Sequence, residues 1–249
     1  MKRFLFICFS LCSLCSFAQD KNSFYALDAK MNATTLDSSK YMLWIHQKED
    51  NNWQWDYYYT WGPLIKSQSF SDHDGTTLNG RSLLFDKTGN LDSLGIFDHG
   101  KRNGTFYKYK TFSADSVTML MQYDYTQDSL VKKINLLTDT LNKKEKDTSG
   151  TESEYPGGIR NWNYYLGHSL TYPERAVNKE IQGQVRIFFM VDTNGVVTDP
   201  YITRSVEYSL DQESLRVIKN SGKWNPSFQH GEPKKSYKLM PINFKLESQ

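Results

Sequence analysis

Five histidines, His46, His73, His99, His168 and His230, stand singly along the chain. A protein zinc site draws its donors from short, recurring spacings, and no two of these histidines share one. Asp192-Thr193-Asn194-Gly195 opens like a calcium loop, but the twelfth position is Thr203, where a bidentate glutamate is required. Asp72 and Asp74 offer two carboxylates for acid–base work, yet the run Ser71-Asp72-His73-Asp74-Gly75 has the composition of a loop. No glycine-rich phosphate loop links a strand to a helix, and no Gly-x-Ser-x-Gly elbow is present. All three cysteines, Cys8, Cys12 and Cys15, fall in the first apolar segment. Catalytic, metal and cofactor residues are therefore expected to be none, and the chain is expected not to be an enzyme. What remains is the chemistry of the backbone itself: an unpaired strand edge can accept another chain.

The segment that would present such an edge is Tyr237 to Leu246, where Met240, Ile242, Phe244 and Leu246 alternate with Leu239, Pro241, Asn243 and Lys245. Alternation of this kind marks a strand with one buried face. Pro241 cannot donate to a ladder, and proline in sheets is confined largely to borders, so this strand is expected at the edge of its sheet. The other elements must carry it. Val185, Ile187, Phe189 and Val191 alternate along Gln184–Val191, and Asn194-Gly195 then turns the chain into a second strand, Val196–Ser205. Ser209 with Gln212 reads as a capping box opening a helix whose apolar face holds Leu210, Val217 and Ile218, with Gly222 as its stop. Upstream, Ile159, Trp162, Tyr165 and Leu166 lie on one face of a short helix that Gly167 ends. Pro173 opens another, running to about Lys179.

The rest of the chain divides by composition. Met1-Lys2-Arg3 followed by apolar Phe4–Ala18 reads as a signal peptide, 1–18, with Ser16-Phe17-Ala18 as the cleavage site before Gln19. The expected location is the periplasm, with an uncleaved inner-membrane anchor as the alternative. Residues 19–137 are rich in aromatic strand formers. There Gly62-Pro63-Leu64 precedes Phe70 as Gly89-Asn90-Leu91 precedes Phe97, a spacing of 27 residues. Gly80 and Phe85 are offset like Gly104 and Tyr109, and Gly95–Tyr109 reads strand, glycine turn, strand. Recurrence of this length signals stacked hairpins, similar to the MORN-type repeats of exported bacterial proteins and of a family named as an antitoxin component; an ordinary meander is the plainer alternative. Residues 138–154 form a polar linker, and 155–249 a second domain. Net charge is +2, without the basic density of a nucleic-acid binder. Asp-Ser/Thr-aliphatic triplets, Asp92-Ser93-Leu94 and Asp128-Ser129-Leu130 among them, resemble a periplasmic O-glycosylation acceptor.

The landmarks after Tyr155 resemble the TonB C-terminal family. They are Tyr155-Pro156-Gly157-Gly158 with Trp162, Tyr172-Pro173 with Ala176, Gly183-Gln184-Val185, Val191-Asp192 with Gly195, Leu210-Asp211 with Leu215, Trp224-Asn225-Pro226, and Pro241 with Phe244. The expected fold is α+β: the repeats give an N-terminal antiparallel β-repeat meander, and the resemblance implies a C-terminal β-β-α-β domain whose antiparallel sheet packs on helices. It also implies that the last strand pairs with an extended segment of an outer-membrane TonB-dependent receptor or another envelope protein. Carried onto this chain, the partner-binding residues are Ser236, Tyr237, Lys238, Leu239, Met240, Asn243 and Phe244. A homodimer through the same edge is an alternative, as are a membrane-anchored energy transducer and a repeat-borne binder of envelope polymer or immunity-type protein. No nucleic acid and no small-molecule cofactor is expected. The proline-rich spacer and membrane-spanning helix that force transmission requires have no counterpart beyond Phe4–Ala18.

Overall fold

The computed structural model describes residues 22–48, 50–113, 116–135 and 150–246. The expectations for the leader, its cysteines and residues 138–149 of the linker lie outside those residues. The first part is a meander in which every strand pairs antiparallel with its sequence neighbour. Its strands are β1 (Asn22–Leu27), β2 (Tyr41–Gln47), β3 (Trp53–Tyr59), β4 (Leu64–Phe70), β5 (Leu78–Phe85), β6 (Leu91–Asp98), β7 (Lys101–Arg102), β8 (Gly104–Ser113), β9 (Ser116–Thr126) and β10 (Ser129–Asn135). The short β7 pairs only with β6, and the spatial order is otherwise sequential. The glycine–leucine spacing falls where turns feed strands, since Leu64 opens β4 and Leu91 opens β6.

Alternation gives this sheet two apolar faces. Along β3, Trp53 joins Leu27, Leu43 and Ile45 in one small cluster. Tyr58, on the opposite face, joins Met42, Leu64, Leu83 and Leu94 in the main core. That main core does not stop at the meander. It runs on through Val185, Ile187, Phe189, Ile218 and Phe244 of the second part. The two parts therefore share one continuous apolar interior rather than two separate ones, a feature composition alone does not reveal.

The second part contains α1 (Gly158–Ser169), α2 (Glu174–Val177), β11 (Gly183–Val191), β12 (Val197–Arg204), α3 (Tyr208–Lys219), a ribbon of β13 (Ser227–Gln229) and β14 (Glu232–Lys234), and β15 (Ser236–Phe244). Its sheet has the order β12-β11-β15, antiparallel throughout. Val185, Ile187, Phe189 and Val191 are fully buried on the inner face, as are Leu210, Val217 and Ile218 of α3. Side chains of this size contribute about 1.5–3 kcal/mol each when buried. Trp162 packs on Trp224 and Tyr155, and Trp224 on Phe189, so an aromatic cluster ties α1 to the sheet.

Several local expectations are corrected. Gly167 does not end α1, which continues to Ser169. Ile159 is 69% exposed and not part of the core. The N-cap of α3 is Glu207, whose carboxylate accepts from the Ser209 N–H at 2.7 Å and the Ser209 hydroxyl at 2.6 Å. A carboxylate is a stronger acceptor than a serine hydroxyl and also suits the positive end of the helix, so the cap moves two residues upstream. Residues 150–154 are not loose linker. Thr151 bridges to Phe228 and Glu154 to Asn225, and Ser153 is fully buried, accepting from the Ser236 hydroxyl at 2.6 Å.

Candidate functional site

A sheet of three strands has two borders, and here they differ. On the β12 side the turn before β6 closes the border. Asn90 bridges to Arg204, and the Ser205 N–H donates to the Gly89 carbonyl at 2.8 Å. Asp86 holds that turn by accepting from the Thr88 and Asn90 N–H groups at 2.8 and 3.0 Å. Gly89 has φ +82, and a Cβ there would lie 2.3 Å from the Ser205 carbonyl oxygen, so the approach is available only to glycine. Farther along, Arg81 pairs with Asp199 and lies over the Tyr201 ring at 4.4 Å.

A buried polar network locks the same junction. The Leu64 N–H donates to the Ser205 hydroxyl at 2.7 Å, and that hydroxyl donates to Asp211 at 2.5 Å. Asp211 is fully buried and also accepts from the Val206 N–H at 3.2 Å. Burial pushes its carboxyl up to about 8, against the hydrogen bonds from Ser205 and Val206. Burial, and then the neighbouring Asp211, also raises the Tyr58 hydroxyl. Beside them the Arg175 guanidinium donates to the fully buried Glu207 at 2.5 Å and to the Thr60 carbonyl. These groups join meander and C-terminal part, and Arg175 also lines a surface groove of about 350 Å³ with Phe24, Leu36, Met42 and Tyr208.

On the other side, among the described residues, β15 pairs with β11 alone. The orientation of its backbone follows from the hairpin. The Asp192 N–H donates to the Val196 carbonyl at 3.0 Å, which turns the even-numbered residues of β11 toward β12 and the odd-numbered ones toward β15. The bond from the Thr203 hydroxyl to the Arg186 carbonyl, 3.2 Å, agrees. Val185, Ile187 and Phe189 pair with Ile242, Met240 and Lys238. Those residues carry the ladder, and Tyr237, Leu239, Pro241 and Asn243 turn their backbone groups to the open side. Pro241 thus costs the sheet no bond, and its missing donor faces outward.

The expected site residues therefore separate. Tyr237 and Leu239 are 64% and 51% exposed, and Asn243 is exposed beside them. Lys238 is half-buried and lies 3.9 Å from Glu152. Met240 is half-buried on the inner face. Ser236 and Phe244 are buried, the latter packed edge-on against Tyr172, so neither side chain is free to meet a partner. Alongside the open border runs a groove of about 400 Å³ between α1 and β15, lined by Ile159, Trp162, Leu166, Leu170, Met240 and Pro241. The sequence pattern puts Ile159 on one helix face with Trp162, Tyr165 and Leu166. Leu166 is half-buried and packs against the main core, whereas Ile159 is exposed, because the rotation of α1 is set by Trp162 entering the aromatic cluster, which a helical period alone does not fix.

Among the described residues no group of three His, Cys, Asp or Glu is placed to hold a metal ion, and no helix is long and apolar enough to cross a membrane. Asp128 accepts from the Arg102 backbone and side chain, so in that triplet the aspartate already serves a turn.

Comparison with curated proteins gives no match. Among solved structures, two NMR solution structures of the Helicobacter pylori TonB C-terminal domain are similar. One is 24% identical, covering 38% of this chain and 91% of its own, with a TM-score of 0.29. The other is 23% identical, covering 36% and 96%, with a TM-score of 0.29. Residues 168–246 match the family model described as Gram-negative bacterial TonB protein C-terminal, a span running from the end of α1 to just past β15. That part of the chain is a domain of the TonB C-terminal family.

Proposed function

We propose that this chain is an exported protein-interaction module of the Gram-negative envelope, and that β15 receives an extended segment of an outer-membrane transporter or another envelope protein by strand addition. The supporting observation is the asymmetry of the sheet: the β12 border is occupied by the chain's own turn at Gly89, while β15 has one neighbour only among the described residues. Backbone pairing supplies affinity in this mode, and pockets beside the border supply selectivity. The family match over residues 168–246 supports the same reading. With one border filled from within, the module takes one strand at a time. Export with cleavage before Gln19 is part of the proposal, and a chain anchored through Phe4–Ala18 is the competing form; the amino-terminal residue of the protein from its host decides between them.

The test is a titration of isotope-labelled protein with plug-segment peptides of outer-membrane transporters, read at backbone amides. Strand addition shifts Tyr237, Leu239 and Asn243, whose N–H groups face outward, more than Lys238 and Ile242, whose N–H groups already bond to β11. No shift in β15, or shifts confined to the meander, would sink the proposal.

A further inference from the structure

The groove beside β15 and the charges around it go further than an open border requires. A strand laid along Tyr237–Asn243 points every second side chain to the inner side of the sheet. On that side, next to the border, lies the apolar groove lined by Ile159, Leu166, Leu170 and Met240. Ile159 is 69% exposed along it, so an arriving apolar side chain would find an apolar neighbour there. Lysines flank β15 at both ends. Lys234 and Lys235 precede it, Lys245 follows it, all three are exposed, and no acidic residue occurs between Glu232 and Glu247.

We infer that the open edge, the groove and the flanking lysines together select an acidic extended peptide, with apolar side chains at alternate positions and carboxylates at both ends. The inference rests on the strand-addition proposal and adds the chemistry of the strand that fits. Apolar side chains at every second position enter the groove against α1. The intervening side chains lie beside Tyr237 and Leu239 on the outer face. Carboxylates beyond the paired stretch meet Lys234 and Lys235 at one end and Lys245 at the other. Pro241 removes one donor from the middle of the edge, so the arriving strand need present no acceptor there.

Gly167 provides a clean perturbation. It lies within α1 beside the groove, and a Cβ at that position meets no atom within 4 Å. Gly167→Leu adds a side chain into open space and favours the helix, leucine being the better helix former. Ile159→Asp is the second variant; the position is exposed and in the first turn of α1, where an acidic side chain is tolerated or favoured.

The probes are three synthetic peptides: one alternating isoleucine and threonine between paired glutamates, one with its isoleucines changed to serine, and one with its glutamates changed to lysine. Each is titrated against the purified full chain and both variants, reading Kd and the amides of Tyr237, Leu239 and Asn243. The first peptide is expected to bind at least tenfold tighter than the serine peptide. It is also expected to bind more tightly than the lysine peptide at low ionic strength, with that gap narrowing as salt screens the rim. Gly167→Leu and Ile159→Asp should each weaken the first peptide by tenfold or more. If all three peptides bind alike and neither variant matters while the β15 amides still shift, the selection is overturned and strand addition survives. If no peptide moves those amides, both fail.

Discussion

Asp211 allows the clamp between the two parts to be tested through protons. In the folded chain its carboxyl is fully buried at the junction, and burial pushes it up to about 8 from the 3.8 of a free aspartate. Between those two values the folded state holds a proton that the unfolded state has released. Stability must therefore fall as pH rises, by about 1.4 kcal/mol per pH unit, and flatten above the folded value. From about pH 5.5 to about pH 7.5 the loss from this one group is roughly 2–3 kcal/mol, a large share of the roughly 5–15 kcal/mol typical of a domain. Asp211→Asn keeps the size of the neutral acid and an oxygen for the Val206 N–H, and it cannot ionise. Urea denaturation followed by tryptophan fluorescence, at intervals from about pH 5 to about pH 9, gives the two curves. The wild-type curve should descend relative to that of Asp211→Asn until about pH 8, so that the variant equals or exceeds the wild type on the alkaline side. Asp56 and Glu207 are unchanged in both proteins, so the difference between the curves belongs to position 211. Parallel curves would refute the reasoning. So would a variant that fails to fold, because the site would then require the charged carboxylate.

Two further perturbations address the same junction. Gly89→Ala should cost about 1–3 kcal/mol more than Gly100→Ala. Both glycines have similar positive φ, +82 and +85, but only at Gly89 does an added Cβ meet the Ser205 carbonyl, at 2.3 Å; equal losses of Tm would show that the contact is unimportant. Arg175→Met should lower stability by about 3–5 kcal/mol by leaving the buried Glu207 carboxylate without its cation. Adding Glu207→Gln should restore part of the loss, and a single-variant cost under about 1 kcal/mol in denaturant titration would contradict the assignment.

Much of this architecture is written in local pattern. The alternation of Val185, Ile187, Phe189 and Val191 sets which face of β11 is buried, Asn194-Gly195 sets the hairpin, and Pro241 marks the border strand. Each depends on residues close in sequence, and each matches the structure. What eluded the sequence depends on distant partners. Ser209 looks like a cap until Glu207 is seen to be held by Arg175, 32 positions earlier in the chain. Gly167 looks like a stop until α1 is packed through Trp162, which carries the helix past it. The groove cannot be read at all without the rotation of α1 against β15. The closure of β12 by the turn at Gly89 joins residues more than a hundred positions apart, and no periodicity encodes that meeting. For the same reason Ser236 and Phe244, which alternation places on the same strand as Tyr237 and Leu239, turn out to be core.

The two sheets also differ in the order in which their strands can assemble. In the meander each strand finds its neighbour immediately before or after it along the chain, so closure can advance hairpin by hairpin with short loops at every step. β15 has no such shortcut. It reaches β11 only after α3 and the β13–β14 ribbon have been laid down between them. The β15 border is accordingly the last piece to arrive, and a chain caught part-way through folding offers its aromatic meander to the surroundings before that border exists.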